Sequence, residues 1–243
     1  MSHSSVAIMT LVVRVERGSP PQRTDALEAA AAASISTWLA TESSCDARGE
    51  STGLIAKWQD GPRKIVRRAR GPMWRQASAL ADTKVSVGSA EVLGFKVGEA
   101  GDTPALLRGM QVSGLELNDL EGPRETVGGF PVIWLNPCLT MTTGKAMAQA
   151  GHGAVLAWER AGEPARTKWL MSGLKLSVRT APIPLWPALV DHCLLVTDGG
   201  YTEVTPGSIT AAVALPSGAA FEERQGTHEL LLAGPKGSTA DGQ

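Results

Sequence analysis

A chain of 243 residues with a net charge of −1 has no global attraction for polyanions, so any contact with nucleic acid has to come from a local patch. Hydrophobic residues make up 43% and charged residues 19%, which is enough apolar material for one large domain or two small ones. Cys45, Cys138 and Cys193 are scattered and lack metal-ligand spacing, so they suit a reducing cytoplasm better than a disulfide framework.

Residues 6–13 form an apolar run too short to span a bilayer and without the flanks of an export signal. The run reads as a buried first strand over 6–15, broken by Ser19-Pro20-Pro21. Thr24 is placed to cap an alanine-rich helix over 25–41, with Asp25 in its first turn. A polar loop is expected over 42–52. Strand pieces follow over 54–58 and 63–69 around the turn Asp60-Gly61-Pro62, then a helix over 70–80 and closing strands over 84–87 and 91–97.

Beyond a Gly-, Pro- and charge-rich linker at 99–130, the plan repeats. A strand is expected over 131–135, a helix over 144–160, a strand over 175–179, a helix over 185–191, and strands over 192–197 and 208–215. Trp38 and Trp158 lie 120 residues apart, and the same offset sets Val12-Val13 on Val132-Ile133. Val85-Ser86-Val87-Gly88-Ser89 resembles Val204-Thr205-Pro206-Gly207-Ser208. The expected class is therefore α/β: two similar small α/β/α units with mixed sheets, over 6–98 and 131–217, read as a fused pseudo-dimer. A polar tail at 218–243 is expected to be disordered beyond Ala233.

Two blocks stand out as chemistry. Lys145, Gln149 and His152 fall at i, i+4 and i+7, so a cation, an amide and an imidazole share one helix face where a core stripe would carry Leu or Ile. Downstream, Asp198-Gly199-Gly200-Tyr201-Thr202 offers an acid and a hydroxyl at a turn. At the repeat offset Lys145 falls on Asp25, Gln149 on Ala29 and His152 on Ala32, so the first unit keeps the scaffold without the polar group.

A helix reading G-K-x-x-x-Q-x-x-H, followed downstream by D-x-G-x-T-x-[IV]-x-P-G-[ST], resembles the type 2 peptidyl-tRNA hydrolases, the archaeal and eukaryotic class. That resemblance covers roughly 131–216 and implies a metal-free, cofactor-free esterase. Its substrate would be peptidyl-tRNA or an N-blocked aminoacyl-tRNA, with site residues Lys145, Gln149, His152, Asp198 and Thr202. His152 would be the neutral base, Asp198 would orient the imidazole or hold the water, and Lys145 would meet an oxyanion or the terminal phosphate. Where relatives generally carry further lysines and an arginine, this chain has Thr140, Thr143 and Tyr201.

Cationic contacts are thus expected from the first unit, where Arg63, Lys64, Arg67, Arg68 and Arg70 form the densest basic run. The run reads either as charge protecting an edge strand or as a phosphate strip for the acceptor stem. A partner tRNA, no membrane and a monomeric chain complete the expectation. The alternative is a non-catalytic RNA-binding module on the same scaffold. A third option is hydrolysis of another acyl ester.

Overall fold

The computed structural model describes residues 6–44, 50–60, 63–200 and 203–216. Cys45, the turn residues Gly61 and Pro62, Tyr201, Thr202 and the tail at 218–243 lie outside them. The first unit runs β1 (Ala7–Arg14), α1 (Arg23–Glu42), α2 (Glu50–Asp60), β2 (Arg63–Ala69), α3 (Gly71–Leu80), β3 (Thr83–Val87) and β4 (Ala90–Glu99). After the single turn α4 (Ala105–Arg108), the second runs β5 (Val132–Leu135), α5 (Thr143–Arg160) and α6 (Glu163–Met171). It closes with β6 (Ser177–Thr180), α7 (Trp186–His192), β7 (Leu194–Thr197) and β8 (Ile209–Ala214).

Each unit is one four-stranded mixed sheet with helices, ordered β2-β1-β4-β3 and β6-β5-β8-β7. In both, the central first strand runs parallel to its outer neighbour and antiparallel to the last strand. Even the register repeats, with Val13 opposite Val92 and Ile133 opposite Val213. The expected class of two similar α/β units is the one the chain adopts.

The likeness extends to side chains. Trp38 on α1 packs on Trp58 of α2 at 5.2 Å between ring centroids, and Trp158 on α5 packs on Trp169 of α6 at 5.9 Å. The indole N–H of Trp58 donates to the Arg63 carbonyl and that of Trp169 to the Lys175 carbonyl, so both units clamp the short helix to the same edge strand. Gly88 and Gly207 hold positive φ, +52° and +82°, in the turns that precede β4 and β8. A side chain at either position would be strained there.

One continuous core, between the two sheets, is filled by the faces of α1 and α5. Smaller clusters cover the outer sheet faces, under α3 and α4 on one side and α7 on the other. α1 and α5 cross closely at Ser34 and Gly151, and both helices carry buried alanines that let the two backbones approach. α1 is consequently buried on almost every face. Among the described residues no helix is long and apolar enough to cross a membrane.

Four expectations need correction. Residues 54–58 are helical: Leu54, Ile55 and Trp58 turn inward while Lys57 faces solvent, a helical spacing that a five-residue apolar run cannot distinguish from a strand. Helix α6 was not expected at all. Its inward residues are only Ala165 and Trp169, so its apolar period is too faint to read. Thr24 does not cap α1 with its own side chain. Its N–H and Oγ1 donate to the two carboxylate oxygens of Asp119, at 2.8 and 2.7 Å. That contact exposes the fourth correction, because the segment 99–130 is not a free linker.

It is a strap docked along both units. Leu107, Met110, Leu115 and Leu117 are buried, and Gln111 bridges the outer edge of β2 at Arg68. The Leu115 carbonyl accepts from the Thr143 N–H, and Thr143 Oγ1 accepts from the Leu117 N–H, fixing the strap to the start of α5. Farther on it reaches the opposite edge, where the carbonyls of Arg124 and Glu125 accept from Arg179 of β6.

Candidate functional site

A cleft of about 880 Å³ opens between the units, lined by α5, by the edge strand β2 of the first unit and by β7 with the turn after it. Helix α5 forms its floor because Thr142 caps the helix, accepting from the Lys145 N–H at 3.2 Å. Glu203 in turn accepts from the Thr142 N–H and hydroxyl, at 2.9 and 2.8 Å. The first turn of α5 therefore starts on a fixed point, and the i, i+4, i+7 spacing carries Lys145, Gln149 and His152 into the cleft together.

Asp198 is the hub. Its Oδ1 accepts from the Gly200 N–H at 2.7 Å, the local turn bond that an Asp-Gly-Gly sequence favours. Its Oδ2 accepts from Lys145 Nζ at 2.5 Å and from Gln149 Nε2 at 2.7 Å. Gln149 is 4% exposed, and its carbonyl oxygen accepts from the Thr210 hydroxyl at 2.7 Å, which fixes the amide's orientation. The Lys145 and Asp198 side chains keep only 9% and 6% of their surface, so this is a buried charge pair held by hydrogen bonds on every side. Thr210 carried no signal in the sequence; it looks like any β-branched residue in a strand.

His152 is half-buried one turn further along. Its ring stacks on Trp58 at 5.7 Å between centroids and 19° between planes, and its Nδ1 lies 3.2 Å from Lys64 Nζ. Burial above all pushes the imidazole well below its usual range, and the charge of Lys145 adds to it, so it is neutral at pH 7. Burial also pushes Lys64 well below the ordinary lysine range, with Glu159 pulling the other way. Among the described residues no hydrogen bond joins Asp198 to His152. The ring's Nδ1 contact comes instead from Lys64 of the other unit. Thr202 lies outside the described residues.

The basic run divides. Arg63 and Lys64 line the cleft, and Arg70 is exposed at the start of α3. Arg67, expected in a phosphate strip, is buried; it donates to the Met110 carbonyl at 3.1 Å, while its Nε has no partner. Arg68 donates to the Gln111 side chain and the Gly114 carbonyl. These two clamp the strap onto β2, which is the outer strand of its sheet.

The pseudo-symmetric counterpart of the cleft is closed. Asp25, at the position of Lys145, accepts from the Ser89 N–H and hydroxyl and pairs with Arg124 of the strap at 2.6 Å. Glu28 pairs with Arg124 and, across the units, with Arg179. With Ala29 and Ala32 at the places of Gln149 and His152, this side lacks the groups for the same chemistry.

A tight crossing keeps the open cleft in register. A Cβ on Gly151 would meet Ser34 Oγ at 2.3 Å and the Lys64 side chain at 3.0 and 3.1 Å, and the Ser34 hydroxyl is already committed to the Ala30 carbonyl. Gly151→Val is expected to cost about 1–3 kcal/mol of stability through overpacking and to shift Lys64 off His152. Thermal melts and the His152 ring resonances check both effects. No family model matches this chain.

Proposed function

We propose that the chain hydrolyses the ester that joins a peptide, or an N-blocked amino acid, to tRNA, as the resemblance to type 2 peptidyl-tRNA hydrolases implies. The observation that carries the reading is the buried Lys145–Asp198–Gln149–Thr210 cluster beside a neutral imidazole in one cleft. His152 Nε2 takes a proton from water, and the hydroxide oxygen bonds to the ester carbonyl carbon. The tetrahedral intermediate then expels the ribose oxygen, which recovers the proton from the imidazolium. The positive charge of Lys145, held in place by Asp198, lies in the same cleft to stabilise the developing oxyanion. Asp198 positions that lysine, and Gln149 positions Asp198. Arg63 at the cleft, with the exposed Arg70, supplies phosphate contacts.

Under this reading the chain works as a monomer, since α1 and α5 cover in one molecule the surfaces two copies would share. A non-catalytic RNA-binding module is the second reading. It draws on one observation, that the Asp198 carboxylate is occupied by Lys145, Gln149 and Gly200 instead of by the imidazole.

The test is release of labelled peptide from an N-blocked aminoacyl-tRNA. Wild type is expected to turn over, and His152→Ala to lose about 10²–10⁴-fold while still binding tRNA. Binding by wild type without turnover would favour the module.

A further inference from the structure

The contact between Lys64 and His152 joins a polar side chain of the first unit to the candidate base of the second. Three observations make it a built contact. The Lys64 Nζ is 3.2 Å from Nδ1, the ring nitrogen that does not serve as base in the proposed reaction. Trp58 lies under both groups, its ring 4.2 Å from Nζ and stacked on the imidazole. Trp58 is itself fixed, 3% exposed, packed on Trp38 and bonded to the Arg63 carbonyl next to Lys64. The sequence presents Lys64 only as one cation in a basic run. The structure separates it from Arg67 and Arg68 and brings it to the imidazole.

A base at Nε2 needs its other nitrogen to carry the proton, and that N–H needs an acceptor. In most such sites a carboxylate or carbonyl accepts it; here a lysine nitrogen occupies the place. An ammonium has no lone pair and can only donate, whereas an amine can accept. The charged and titratable groups lining this cleft are Lys64 and Arg63 from β2, Lys145 and Glu159 from α5, Asp198 after β7, and Glu203 beyond it. Asp198 neutralises Lys145, so the nearest acid to Lys64 is Glu159, which is exposed and bonded to Gln59. Burial favours the uncharged amine, against the pull of Glu159.

We propose that Lys64 is the positioning residue of His152: its Nζ accepts the Nδ1–H of the imidazole and leaves Nε2 open to the cleft. The activity arm of this inference rests on the hydrolase reading, and the spectroscopic arm does not. When Nε2 takes up a proton, the same Nδ1–H···Nζ bond holds the imidazolium. The first unit then supplies one working group and is more than a structural partner.

Lys64→Arg keeps the reach but carries a permanent charge and can only donate, and Lys64→Met keeps the apolar stem alone. In wild type at pH 8, nitrogen-15 spectra are expected to show His152 protonated at Nδ1 and bare at Nε2. Both variants are expected to place the proton on Nε2. With N-blocked aminoacyl-tRNA, both are expected to lose at least about tenfold in kcat with little change in KM. A wild-type ring protonated at Nε2, or ring shifts unmoved in both variants, would overturn the inference whether or not the chain is a hydrolase. So would a Lys64→Arg variant with intact kcat, or a Lys64→Met variant whose KM alone rises, since either is the mark of a phosphate contact. If wild type gives no turnover, the hydrolase reading falls and the spectra alone decide the role of Lys64.

Discussion

Removing the Asp198 carboxylate is expected to destabilise the fold by about 3–5 kcal/mol, because it takes from the buried Lys145 ammonium the carboxylate that it pairs with. In a chain of this size each kcal/mol moves Tm by about 2–4 °C, so Asp198→Leu should melt on the order of 6–20 °C below wild type. The loss belongs to the uncompensated charge and not to the pair as such. Lys145→Met combined with Asp198→Leu is therefore expected to recover most of the stability. Turnover should stay absent in the double variant, since the charge placed for the oxyanion has gone with the lysine. Melting curves and peptide release on the four proteins of this cycle separate the two effects. A double variant as unstable as Asp198→Leu alone would show that Asp198 matters for its turn bond to Gly200, and not for holding the cation.

The cluster was legible because helical geometry is rigid. Once a helix starts at Gly144, Lys145, Gln149 and His152 must share a face whatever surrounds them. The repeat was legible for a similar reason: a helix offset of 120 residues carries Trp38 onto Trp158, and both pack against a second tryptophan in the same way. What sequence spacing does not contain is the approach of elements far apart in the chain. Lys64 and His152 are separated by 88 residues and meet only because the small residues of α1 and α5 let the units pack closely. The basic run split for the same reason, since its alternation says which residues share a face and nothing about the strap that covers β2. Composition misread that strap. Glycine, proline and charge suggested a free linker at 99–130, whereas a few leucines and the carbonyls of Met110, Arg124 and Glu125 suffice to dock it.

Ion pairs from the strap also occupy the counterpart of the open cleft, and there the strap carries the other large prediction. Arg179 donates to Glu28 at 2.6 Å, with side chains 7% and 9% exposed, while its remaining nitrogens hold the Arg124 and Glu125 carbonyls. Arg179→Met would leave the buried Glu28 with the half-exposed Arg124 as its one ion-pair partner and a long bond from the Val178 N–H, and would release the strap carbonyls as well. A loss of about 3–5 kcal/mol is expected. Because Glu28 lies on α1 and Arg179 on β6, the pair ties one unit to the other, and the shared core between the sheets should still melt in a single transition. Peptide release at low temperature should remain, since Lys145, Asp198 and His152 lie at the other cleft. Opening the closed side should add no second activity, because Asp25, Ala29 and Ala32 stand where the cation, amide and imidazole would be needed. A variant that melts in two separated steps would mean that the units fold independently, with the strap a tether and not part of the core.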